Sequence, residues 1–433
     1  MNWKSLNCYL NLWILLIFIG LPFKSIAQDS EKWNVNEPPG EFKELKINTS
    51  EGTWMNLDVS PDGQNIVFDM LGDIFILPVS GGKATALRTG HAFEIQPRFS
   101  PDGSKISFTS DAGGGDNIWI MNADGSEATQ ITKEDFRLLN NAVWTPDGQY
   151  LIARKHFTSQ RSLGAGELWM YHITGGSGIQ LTKKKNEQQD AGEPWVSRDG
   201  KYVYYSEDIY PGGYFQYNKD PNHQIYAIKR YNLEDGKTER VAGGPGGAVR
   251  PQTSPDGTLL AFVKRVRTKS VLYLQDLSTG EEWPVFDDLS KDQQEAWAIF
   301  GLYPNYNWTP DGNSLIVWSK GGFKKIDINS FQVADIPFDV EVTHKLTETV
   351  KFENNPSPDN LEIKVIRNAV TSPDGKMLVF QAAGYLWKKQ LPNGKPTRIT
   401  SATDLESEPS YSKDGNKITY VTWNYEEMGA IYT

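Results

Sequence analysis

The chain has 433 residues, 38% hydrophobic and 12% aromatic, with a net charge of −10. That length holds one large domain or two medium ones. The acidic balance, with no clustered basic face, excludes a nucleic-acid binder that works through positive charge.

Residues 1–27 read as a secretory signal. Lys4 supplies the positive start, residues 12–23 the apolar run, and Ser25-Ile26-Ala27 a small-x-small site before Gln28. Cleavage after Ala27 predicts a periplasmic or secreted product. The apolar run is short for a membrane span, so none is expected after cleavage. Lys4 and Lys24 leave with the leader, taking the net charge from −10 to −12. The only cysteine, Cys8, leaves too, so the mature chain has no disulfide framework and no thiol nucleophile. Cys8 precedes the apolar run, which argues against a lipid anchor. Residues 28–42, with Pro38-Pro39-Gly40, read as a linker.

From residue 43 onward one motif recurs. Its copies begin at Ser60, Ser100, Thr145, Ser197, Ser254, Thr309, Ser372 and Ser412, each followed by x-Asp-Gly. The intervals are 40, 45, 52, 57, 55, 63 and 40 residues. Repeats of roughly 40–50 residues indicate propeller blades or helical arrays. Proline pre-sets the second turn position, aspartate suits the third, and glycine takes the left-handed conformation that closes the hairpin. Arg198 and Lys413 replace the proline in two copies, while Asp-Gly persists in all eight. The eight aspartates are therefore read as turn formers rather than catalytic groups.

The second unit shows four strands, at 95–100, 105–110, 117–122 and 128–132. They are rich in β-branched and aromatic residues and are separated by Gly, Asp and Pro turns. Third strands echo one another at Glu167-Leu168-Trp169-Met170, Val271-Leu272-Tyr273-Leu274 and Tyr385-Leu386-Trp387. The one helical candidate is 290–300, with Ser290 as cap and Gln293 completing a capping box. The fold class is all-β, a β-propeller of four-stranded antiparallel blades, with eight blades over 43–433. The final unit has three strands, at 408–412, 417–423 and 429–433. Residues 43–49 resemble a fourth strand, and are predicted to pair beside 429–433 and close the ring. Seven blades plus a loose unit is the alternative.

Three connections exceed the plain repeat: 209–223, 286–303 and 337–364. The first carries Tyr210, Tyr214, Phe215 and Tyr217, a candidate loop for a peptide or sugar; equally, it can fold back over a blade edge. The other chemistry is sparse. The five histidines (His91, His156, His172, His223, His344) form neither His-x-His nor His-Glu-x-x-His. Gly175-Gly176-Ser177-Gly178 is not a nucleophile elbow, and Gly236-Lys237-Thr238 lacks the upstream glycine of a phosphate loop. Asp111 and Asp116 flank a glycine-rich hairpin tip with too few oxygens for calcium. Glu193 and Glu408 precede prolines at the start of first strands; they either line an acidic mouth or position the strand. No catalytic, cofactor or metal residue is assigned.

The stretch 96–110, followed by Asn117-Ile118-Trp119-Ile120-Met121 and Gln130-Ile131-Thr132, resembles the WD-like propeller repeat of the TolB family. The repeat also occurs in propellers of tricorn-type peptidases and secreted amidohydrolases, and 301–312 looks more like the amidohydrolase-linked kind. The chain departs from TolB itself in blade number and in lacking an N-terminal α/β domain. The resemblance implies an exported propeller that binds a protein or peptide partner of the cell envelope, without catalysis of its own. The alternative it implies is the regulatory propeller of a hydrolase whose catalytic domain is absent from this chain.

Overall fold

A computed structural model describes residues 34–433, apart from 136–137, 159–163, 212–215, 217, 297 and 349–353. The leader, its cleavage site and Tyr214, Phe215 and Tyr217 lie outside the described residues.

The repeated turn has the same chemistry in all eight copies. The Ser or Thr hydroxyl donates to the Asp carboxylate two residues on, at 2.5–2.6 Å. The same hydroxyl accepts the N–H that opens the second strand, as from Lys105 N to Ser100 Oγ at 2.9 Å. The carboxylate also accepts the N–H after the glycine, as from Ser104 at 3.0 Å. These bonds favour the ionised form and hold every one of the eight carboxyls below its ordinary value. Each glycine sits at φ between 67° and 76°, where a side chain would be strained. The aspartates thus form turns, and the Ser or Thr before them is their partner.

The turns open antiparallel sheets whose order is that of the chain. Blades 1 to 6 span 57–88, 94–130, 138–180, 191–242, 249–286 and 307–336, with four strands each. In blade 2 the strands are Glu94–Phe99, Lys105–Ser110, Asn117–Asn122 and Thr129–Gln130. Sheet 7 (367–398) has four strands and sheet 8 (405–432) three.

Two expectations are corrected: the ring holds six blades rather than eight, and the N-terminal strand does not complete the last sheet. Around the ring, the turn glycine of one blade faces the turn proline of the blade before it. Gly103 lies on Pro61, Gly148 on Pro101, Gly200 on Pro146 and Gly312 on Pro255. Gly63 lies on Pro310, which returns the circle to its start. Gly375 meets nothing, and Gly415 lies on Pro373, so sheets 7 and 8 pair with each other outside the circle. They touch the ring where Thr268 Oγ1 donates to Tyr425 O at 3.1 Å.

Closure uses no shared strand and no sheet closed on itself; the two flanking segments cross over instead. Before blade 1, Gly52 N donates to Gly321 O at 2.9 Å, and Trp318 Nε1 to Gly52 O at 2.9 Å, so the entering chain binds blade 6. After blade 6, strand Phe338–Thr347 binds blade 1. It runs parallel to Gly82–Lys83, and its His344 Nε2 lies 2.8 Å from Asp73 Oδ2. Phe338 also wedges between Phe68 of blade 1 (5.8 Å) and Phe323 of blade 6 (5.1 Å), ring centroid to centroid. The largest buried apolar cluster is here, joining blades 5, 6 and 1 and reaching Tyr226 of blade 4. The N-terminal strand Phe42–Thr49 pairs antiparallel with Phe338–Thr347 from Phe42–Thr347 to Thr49–Val340. Its alternation suits a half-exposed edge, and it finds the strand that the crossover has left without an outer neighbour.

Candidate functional site

The two ends of the propeller axis differ. At one end, bulges in the first strands of blades 2 to 5 put Gln96, Asn141, Glu193 and Arg250 at φ 57–59°. The bulges bring these four polar side chains together. Gln96 Oε1 accepts from Asn141 N (2.8 Å), Asn141 Oδ1 from Arg250 Nη1 (2.9 Å) and Glu193 Oε2 from Arg250 N (2.8 Å). Arg250 and Glu193 also form an ion pair at 3.0 Å, both side chains at most 3% exposed.

The described residues of 292–305 lie on this cluster and fill the axis. Glu193 Oε1 accepts from Leu302 N at 2.6 Å, and Arg250 Nε donates to Tyr303 O at 2.8 Å. Asn140 Nδ2 and Arg154 Nη1 both donate to Ile299 O, at 2.7 and 3.0 Å. At its start the segment is stapled to blade 5 by Arg265, 2.7 Å from Asp292 Oδ1 and from Glu295 Oε1. Gly301 is required here, since a Cβ would stand 2.1 Å from Arg250 Nη2. The long connection 286–303 therefore supplies a plug. Among the described residues the proposed helix at 290–300 does not form, because backbone groups of this stretch bond to side chains of blades 2, 3 and 5 instead. Glu193 positions strand and plug rather than lining an open acidic mouth.

At the other end the axis opens into a cavity of about 700 Å³. Its rim is the ring of turns, and its wall is formed by the two residues before each Ser or Thr, except in blade 5, where Thr253 alone contributes. Trp144, Trp195 and Trp308 make that wall aromatic, and each is fixed to a neighbouring blade. Trp144 Nε1 donates to Arg98 O (3.1 Å), Trp195 Nε1 to Thr253 Oγ1 (3.0 Å) and Trp308 Nε1 to Gln252 O (3.3 Å). Asp58, Arg98 and Arg198 are the charged lining residues. Burial raises the Asp58 carboxyl against the pull of Arg98, and burial lowers Arg98. A rigid aromatic cup with few, placed charges is suited to holding an extended ligand. It shows no nucleophile–base pair, and among the described residues no group of His, Cys, Asp and Glu is arranged to hold a metal ion.

Of the tyrosine loop, Tyr210 is half-buried. Its N–H donates to Asp208 Oδ1 at 2.8 Å, its carbonyl accepts from Gln189 Nε2 at 2.8 Å, and the Lys219 ammonium lies 5.3 Å from its ring. It does not line the cup. The cup residues carry a signal in the sequence: they stand at fixed offsets from the turn, yet differ from copy to copy.

Residues 55–164 match the family model described as the tricorn protease N-terminal beta propeller domain. The uncharacterized peptidase YuxL of Bacillus subtilis is 24% identical over 191 residues, 44% of this chain and 24% of that protein. The Tol-Pal system protein TolB of Helicobacter hepaticus is 24% identical over 160 residues, 36% of this chain and 37% of its own length. The chain therefore spans well under half of these relatives. The crystal structure of TolB from Acinetobacter baumannii superposes with a TM-score of 0.50 at 14% identity, covering 67% of this chain and 65% of that one. The tricorn protease crystal structure gives 0.50 at 14% identity, covering 88% and 43%. Ring, repeat and these likenesses together give the chain a β-propeller fold similar to those of TolB and the tricorn protease.

Proposed function

We propose that the chain is an exported binding module that takes a segment of a partner polypeptide into the cup at the turn-side end of the ring. The observation that carries this reading is the asymmetry of the axis: one end is filled by 292–305, and the other is an open, rigid, tryptophan-lined cavity. Fixed aromatic rings give contact area at little entropy cost, which suits recognition of an extended peptide. The leader at 1–27 supports an envelope location.

The experiment uses residues 28–433 and pools of short labelled peptides, read by fluorescence anisotropy. Saturable binding is expected, and it should be lost in Pro146→Trp, which places an indole at the exposed rim. Binding that survives Pro146→Trp unchanged would move the site away from the cup. Cell fractionation checks the location, with the mature chain expected in the envelope fraction.

A second reading is favoured by the match to the N-terminal propeller of a protease and by the likeness to a peptidase. In it the propeller serves a hydrolase, and the cup feeds or holds polypeptide for that enzyme. Hydrolysis of peptides by the purified chain alone would contradict both readings.

A further inference from the structure

Resting on the reading that a polypeptide occupies the cup, we propose that the cup selects acidic segments, seating a carboxylate between Arg98 and Arg198. Arg98 is 3% exposed yet lines the cavity. Its one side-chain hydrogen bond among the described residues runs from Nη1 to Asp58 Oδ1 at 3.3 Å, the long end of the range. A guanidinium carries five donors. Asp58 is already served by Phe99 N–H at 2.8 Å and by Asn307 Nδ2. The pair is therefore rich in donors at the cavity wall. The Arg98 guanidinium lies 5.3 Å from the Trp195 ring centroid, and that ring is itself fixed to Thr253, so the donors are held in place.

Arg198 is the second observation, independent of the first. Five of the six ring turns place proline at the rim: Pro61, Pro101, Pro146, Pro255 and Pro310. The sixth places Arg198 there. The exchange loses the rigid turn residue and its packing, since Gly257 of the next blade meets nothing within 4 Å. Arg198 joins no ion pair or side-chain hydrogen bond among the described residues, so nothing inside the fold compensates. The cavity lining thus carries two arginines and one aspartate in a chain whose net charge is −10. A carboxylate entering this desolvated wall takes charge-assisted bonds that a neutral group cannot match. A cationic segment meets arginines it cannot pair. Because the plug closes the far end, the ligand enters and leaves past Arg198.

A side-chain carboxylate and a chain-terminal one share this chemistry, and the test separates them. Short labelled peptides are made in a Glu-containing pool and a Gln counterpart, each as free acid and as C-terminal amide. Anisotropy is read on residues 28–433. The amidated Glu pool is expected to bind at least about tenfold tighter than the amidated Gln pool. Arg198→Pro should bring the Glu pool down to the Gln level while Gln binding stays, and Arg198→Lys should keep most of the preference. Arg98→Gln is combined with Asp58→Asn so that no buried charge is left alone; this pair should also abolish the preference. Preference for free acids in both pools, lost in Arg198→Pro, supports the arginine clamp with the chain terminus as its carboxylate. Equal Glu and Gln binding, or a preference untouched by Arg198→Pro and by the paired variant, overturns the inference and leaves the peptide-binding reading standing. Absence of binding by every pool overturns both.

Discussion

Gly63 of blade 1 lies against Pro310 of blade 6, with the proline Cδ 3.3 Å from where a glycine Cβ would stand. The contact repeats the one between Gly103 and Pro61 in neighbouring blades, which is why it identifies the closing pair. Ending the chain after Thr347 should therefore leave the ring folded. The change in stability should be about 1 kcal/mol or less, a shift of a few degrees in melting temperature. Collapse of the melting transition in that truncation would mean that sheets 7 and 8 belong to the ring.

The turn hydroxyls should matter for stability. Ser100→Ala removes the donor to Asp102 and the acceptor for Lys105 N–H in a buried position. A loss of about 1–2 kcal/mol is expected by denaturant titration. Ser100→Thr should retain most of it, since Thr145 and Thr309 make the same two bonds.

The plug depends on Gly301 and Glu193. Glu193→Gln leaves Arg250 buried without its counter-ion and should cost about 3–5 kcal/mol. Gly301→Ala forces a methyl group onto Arg250 Nη2, so the segment should lift before the ring unfolds. Limited proteolysis reads this: Gly301→Ala should be cut within 292–305 at protease levels that leave the parent chain whole.

Stability should fall as pH rises through the weakly acidic range. Burial raises Asp58, pushes Asp69 up to about 7 and pushes Asp73 up to about 6 against the opposing pull of His344. Their unfolded value is near 3.8, so between about 4 and 7 the folded state binds more protons than the unfolded one. That contribution is fully present below the unfolded value and fades as pH rises through the folded one. The turn aspartates act oppositely: their contribution is present above 3.8 and is lost as pH falls below it. Melting temperatures from pH 4 to 8 should decline toward the alkaline end, and Asp69→Asn should flatten part of that slope. A flat profile in the parent chain would contradict it.

The blades were legible because each is a local object: turn, hairpin and strand period lie within a few tens of residues. The ring was not, because the same turn opens the six blades inside it and the two sheets outside. The spacing did hold a clue, since 63 residues between Thr309 and Ser372 is the longest interval and contains the crossover strand Phe338–Thr347. Residues 43–49 read correctly as a strand, but a period-two pattern does not name its partner. The plug was invisible because its backbone is satisfied by Gln96, Asn140, Arg154 and Arg250, side chains far away in sequence. The cup was partly legible in Arg198, the one ring turn without proline, although the variable loops drew the functional reading elsewhere.

The crossover ladder gives the ring a mechanical direction. Phe42 pairs with Thr347 at the end where both strands leave the ladder, and Glu348 N–H adds a bond to Glu41 O there. Tension between the flanking chain segments then opens the ladder as a zipper, one pair at a time, rather than shearing all its bonds together. The first element to yield under load is this outer clasp, which releases the N-terminal strand while the aromatic wedge at Phe338 still holds the circle shut.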